Sequence, residues 1–193
     1  IREIRLSEKV FYQQIKDIYK TSIDYNPSAE MTLAFFKEIQ NKLLWAVSGK
    51  TAAELMYYRT NASLPMMGLT STEKEGKVTK NDVLIGKNYL NEKEISQLKL
   101  IVEQFLAYAE VQALAEKPMY MRDWIQKLRL VLTMNEKNIL EHAGKISHKV
   151  AVDKATKEYV AYKEQQRQIE HFDSIKQLDQ DLKRIAPRKS NKT

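Results

Sequence analysis

The chain has 193 residues, 43% hydrophobic and 30% charged, with a net charge of +7, enough for one fair-sized domain or a domain with an extension. Cysteine is absent, which excludes a disulfide framework, a thiol nucleophile and a zinc–thiolate site. Five glycines and four prolines disfavour a turn-rich β protein, and no apolar run approaches the roughly 20 residues of a membrane-spanning helix.

The chain begins IREIRLSEKVF, without Met and already in a charged helical pattern, and reads as part of a longer parent. Ile4, Phe11, Ile15 and Ile18 share a face, so residues 3–20 are expected to be an amphipathic helix. Asp24–Pro27 breaks it, because Pro27 restrains Asn26 away from the α region. A second helix over about 29–47 aligns Phe36, Ile39, Leu43 and Val47, and Gly49 stops it. Thr51 with Glu54 spells a capping box and opens a short helix to Arg59.

Residues 60–80 hold Pro65, Gly68 and Gly76 and read as a long connection with a small hairpin near Glu75–Gly76. Residues 81–89 read as one short helix. Asn91 with Glu94 caps a long helix to about Glu116, with Ile95, Leu98, Val102, Phe105 and Ala109 on one face. Pro118 ends that run and starts the next, in which Trp124, Leu128, Val131 or Leu132, Asn135 and Ile139 recur on one side up to Gly144. Ser147 caps a final helix over 148–185, about 57 Å long at 1.5 Å per residue. Its thin stripe includes Val152, Ala155, Tyr159, Ile169, Phe172, Ile175, Leu178 and Leu182, interrupted by Gln165, Gln166 and Gln168. A helix this long and thinly apolar is expected to project, fold back across the domain or pair with another chain.

The expectation is therefore an all-α protein: an irregular multi-helix bundle with a long C-terminal helix and one long loop over 60–80. A core at 1–148 is followed by the helix at 149–185 and a basic, disordered tail at 186–193. Five of the seven net charges lie beyond the last acid, Asp181, so residues 1–182 carry only +2.

Residues able to do chemistry concentrate in HAGKISH, with His142, Lys145, Ser147 and His148. Histidine transfers protons near neutral pH and binds metals. The Gly144 break could bring the two histidines together, with Asp123 and Glu141 completing an acid–base site; equally, they could be capping and turn residues. No zinc-type spacing is present, so no metal site and no cofactor is assigned. In PMYMRDW, Arg122 and the amides of a helix start could hold an anion, or Asp123 could simply complement the dipole while Trp124 fills the core. Tyr57, Tyr58 and Arg59 with Lys74, Lys77, Lys80 and Lys87 could form an aromatic–basic nucleic-acid surface, joined by Arg188 and Lys189 of the tail. Glu73, Glu75 and Asp82 dilute that field, and a solvated mixed-charge surface is the alternative. GKT at Gly49–Thr51 lacks the earlier glycine and preceding strand of a phosphate loop. No GxSxG elbow occurs either.

Several ordered phrases together resemble the RhuM family of virulence-associated bacterial proteins. They are IREIRLSE at 1–8, FYQQIKDIYKTSIDY at 11–25, QNKLLWAVSGKTAAEL at 40–55, MGLTS at 67–71, KNYLNEKEI at 87–95, KPMYMRDWIQKL at 117–128 and HAGKISH at 142–148. The resemblance covers about residues 1–165. It implies a protein of pathogenicity islands and mobile elements, in which a DNA-binding-like N-terminal region precedes a helical part such as this one. Some relatives carry Fic or death-on-curing labels, but the His-Pro-Phe and Gly-Asn-Gly-Arg elements of Fic transfer are missing here. No catalytic residues carry over.

The leading expectation is a non-enzymatic, cytoplasmic interaction domain that forms a homodimer or binds a partner helix, without membrane contact. It would meet nucleic acid through its parent. One alternative is a nuclease or phosphotransfer enzyme at the His142–His148 turn. Another is direct nucleic-acid binding through the 57–87 surface and the tail.

Overall fold

The computed structural model describes residues 22–26, 30–74 and 76–185, with Gln13, Asp17 and Lys20, and for Met31, Lys183 and Ile185 the backbone alone. The expected helix at 3–20 lies largely outside the described residues; Gln13, Asp17 and Lys20 are helical. The tail at 186–193, with Arg188 and Lys189, lies outside them too. Six helices follow in order: α1 (Glu30–Ser48), α2 (Ala52–Arg59), α3 (Lys80–Val83), α4 (Glu92–Leu114), α5 (Met121–Met134) and α6 (His148–Ile185). Two 3-10 turns, Pro65–Gly68 and Gly86–Tyr89, flank α3. Among the described residues there is no strand, so the fold is all-α, as expected.

Local chemistry sets most helix boundaries. Gly49 at φ +64° turns the chain off α1, and its amide donates to the Trp45 carbonyl at 2.8 Å. Three capping boxes start α2, α3 and α4: Thr51 with Glu54, Thr79 with Asp82, and Asn91 with Glu94. The segment before α1 is strapped to the start of α5. There the Trp124 indole donates to Ser22 Oγ at 3.1 Å, and the Met121 amide donates to Asp24 Oδ1 at 2.8 Å.

The core lies where α1, α2, α4 and α5 meet. Leu43, Leu44, Leu55, Val102, Phe105, Leu128 and Leu132 are buried there, and the Phe105 and Trp124 rings meet edge to face at 5.9 Å. Each fully buried leucine contributes about 1.5–3 kcal/mol of apolar transfer. At the C-terminal end of α2, Arg59 forms a fork with both Glu94 oxygens at 2.6 Å and also donates to the Tyr89 carbonyl. Burial would raise the Glu94 carboxyl, but the bonds from Arg59 and the Asn91 amide outweigh it and hold it below its ordinary value. The buried Tyr89 hydroxyl donates to the Val83 carbonyl at 2.9 Å, and burial pushes its pKa up to about 12.

Three elements differ from the sequence expectation. The helix expected at 81–89 is split into α3 and the Gly86–Tyr89 turn. Side chains intercept the carbonyls a continuous helix would use: Asn88 Nδ2 donates to the Asp82 carbonyl and Tyr89 to that of Val83. The helix expected to run to Gly144 stops at Met134, leaving Ile139 in a loop. Asn135 Nδ2 bonds the Val131 carbonyl, and Glu136 enters the left-handed region at φ +54°, with the Lys137 amide closing back on Leu132. The hairpin in 60–80 reduces to one antiparallel bridge, Lys74 to Lys77, turned by Gly76 at φ +71°.

The first half of α6 lies against α2, α3 and the Pro65–Gly68 turn. Ala151 and Ala155 are fully buried, their small side chains allowing close approach. Between them Lys154 donates to the Tyr57 and Thr60 carbonyls at 2.7 and 2.9 Å, satisfying the end of α2. One turn on, Glu158 accepts from the Ala62 amide at 2.8 Å. From residue 167 onward every described side chain of α6 is exposed.

Candidate functional site

The loop from α5 to α6 carries His142, Lys145 and His148, and three attachments place it. Lys42 of α1 donates to the Leu140 carbonyl at 3.0 Å. The His142 ring stands edge-on to Trp45 at 4.9 Å between centroids. The Lys145 amide donates to Glu54 Oε1 at 2.8 Å, while Glu54 Oε2 accepts from the Thr51 amide at 2.8 Å. Gly144, at φ +86°, passes so close to Thr51 that an added Cβ would lie 3.0 Å from its side chain. Burial would raise the Glu54 carboxyl; the two amides and the Thr51 hydroxyl reverse this and lower it.

His142 and His148 enter different surroundings. Exposed His142 accepts from the Gly144 amide at Nδ1 at 3.0 Å and lines a cleft of about 330 Å³ with Glu38, Lys42 and Glu141. His148, also exposed, is the first residue of α6 and lines a neighbouring cleft of about 460 Å³ that shares Asn41 and Ala143 with the first. Ser147 caps α6 through a bond from the Val150 amide at 3.3 Å. Lys145 joins the network through its backbone, and its side chain is exposed.

Asp123 and Arg122 line neither of these clefts. The Asp123 carboxylate accepts from the Tyr120 amide at 2.9 Å, and Asp24 occupies the Met121 amide, so the chain's own carboxylates fill the start of α5. Arg122 is exposed and lies over the Tyr120 ring at 5.6 Å. Among the described residues, no group of three or more His, Asp or Glu is placed to hold a metal ion.

The aromatic–basic candidates are also divided. Arg59 is committed to Glu94 and Tyr89. Tyr57 meets Tyr58 edge to face at 5.2 Å and lies beneath Lys154 at 5.3 Å. Tyr58 is exposed, with the Lys50 ammonium 5.1 Å from its ring centre. Lys77 and Lys80 are exposed, on the bridge and at the first residue of α3.

Sequence reasoning found Glu54 as a capping residue but not its bond to a loop 91 residues away. It also missed Glu94 as the partner of Arg59, and Lys154 as the cap of α2. The Asn91-x-x-Glu94 spacing was the only local sign of the first; the second has none.

No helix among the described residues is long and apolar enough to cross a membrane. No curated protein and no solved structure gives a significant match. A family model described as the virulence protein RhuM family matches residues 1–170, most of the chain and every part of the core described above. The chain belongs to the virulence protein RhuM family.

Proposed function

We propose that this chain is a helical interaction domain that forms a homodimer through the second half of α6. The supporting observation is the exposure of Ile169, Phe172, Ile175, Leu178 and Leu182 along a segment in which every described side chain from residue 167 onward is exposed. Ile175, Leu178 and Leu182 follow a 3-4 spacing, which suits a self-complementary helix pair. In the parent, such a pair would hold two DNA-binding-like N-terminal regions at a fixed separation, as a two-fold DNA site requires. The cytoplasm is the compartment this role implies.

Light scattering over a range of concentrations tests the reading. A dimer at micromolar concentration is expected, and Leu178→Glu should convert it to monomer while keeping the melting temperature of the dilute, monomeric chain. A wild-type chain that stays monomeric at several hundred micromolar would end the proposal.

A further inference from the structure

The cleft of about 460 Å³ opens where α1, the first turn of α2, the Gly86–Tyr89 turn and the start of α6 converge. Its volume falls within the roughly 300–1,000 Å³ typical of small-molecule sites. Its charge is one-sided. Lys37 from α1, Lys87 from the turn and His148 from α6 line it, and among the described residues no Asp or Glu does. Residues 1–182 carry only +2, so composition does not account for this separation of charge. Glu54, on the cleft-lining helix α2, is buried and committed to the Thr51 and Lys145 amides.

Neutral donors add to the cations. Asn41 Oδ1 accepts from the Ala52 amide at 3.0 Å, and its Nδ2 group carries two further donors. The Ala53 and His148 amides, at two helix starts on the cleft wall, have no partner among the described residues. Met56, Leu84, Ile85 and Ile146 form an apolar side. Gly86 sets the spacing of the walls: an added Cβ would meet the Ala52 backbone at 2.5 Å. Two lysines and a histidine from three elements suit a dianionic head better than a single carboxylate, and the apolar side suits an organic body.

We propose that this cleft binds a small organic phosphate, with Lys37, Lys87 and His148 around the phosphate and the Met56–Ile146 side against its organic group. This site is separate from α6 pairing and requires no chemistry on the ligand.

The test uses AMP, adenosine and inorganic phosphate as probes, followed by amide NMR and calorimetry on the whole chain. AMP should shift the Ala53 and His148 amides; inorganic phosphate should shift the same amides at higher concentration, and adenosine should not. Lys37→Gln combined with Lys87→Gln should weaken AMP by about tenfold or more, as expected for loss of charged hydrogen bonds. Adenosine binding as well as AMP, or AMP shifts confined to the basic residues beyond Asp181, would overturn the proposal. So would unchanged affinity in the double variant. If that variant does not fold, the wild-type shift map and the adenosine comparison decide alone.

Discussion

The two halves of α6 are one continuous helix in opposite surroundings. The first half buries Ala151 and Ala155 and reaches α2 through Lys154 and Glu158. The second half carries larger apolar side chains, yet Ile169, Phe172, Ile175, Leu178 and Leu182 are all more than half exposed. Apolar content therefore does not decide which half joins the core. Small side chains permit close helix approach, and the flanking Lys and Glu satisfy backbone groups that close approach would otherwise strand. The second half has the apolar area but leaves it exposed, every described side chain from residue 167 onward facing solvent.

The largest expected effect lies at the end of α2 that the first half of α6 grips. Arg59→Met leaves the Glu94 carboxylate without its fork and should cost about 3 kcal/mol, measured by urea denaturation. A loss under 1 kcal/mol would show that this anchor is not held by the pair. The contrast between halves is tested next. Ala155→Leu should cost about 1–3 kcal/mol by overpacking. Leu178→Ser should stay within about 0.5 kcal/mol in the monomeric, dilute chain. Equal costs would abolish the distinction.

Acid gives the smallest effect. Glu54 and Glu94 both have folded-state values below the ordinary 4.5. A lowered carboxylate stabilises the fold above its unfolded value, and the contribution is lost as pH falls through the folded one. Stability should therefore decline below pH 4.5, and Glu54→Gln should flatten that decline while lowering stability at neutral pH. An unchanged acid limb in the Glu54→Gln variant would show that the Lys145 and Thr51 amides contribute nothing through this group.

Helix content and most helix starts were legible in the sequence because caps act over three residues. Thr51–Glu54, Asn91–Glu94 and Ser147 all perform as their spacing implies. Helix ends were less legible. Asn135 and Glu136 stop α5 through side-chain and left-handed geometry that many helical sequences tolerate without stopping. At the candidate site, the sequence identified the polar loop but could not place its two histidines in two adjoining clefts. That placement depends on Trp45, Lys42 and Glu54, all about 90 residues or more from the loop groups they hold.

By itself, then, the sequence determined an all-α chain, a capped start for α2, α4 and α6, and a long C-terminal helix with a thin apolar stripe. Periodicity and capping are local, so a single chain of letters contains them. Tertiary structure alone decided where α6 leaves the core, that Lys154 caps α2 from another helix, and that Lys37, Lys87 and His148 meet around one cleft. Those outcomes depend on which distant backbone groups need partners and which surfaces are narrow enough to meet. Neither is encoded within any one turn of helix.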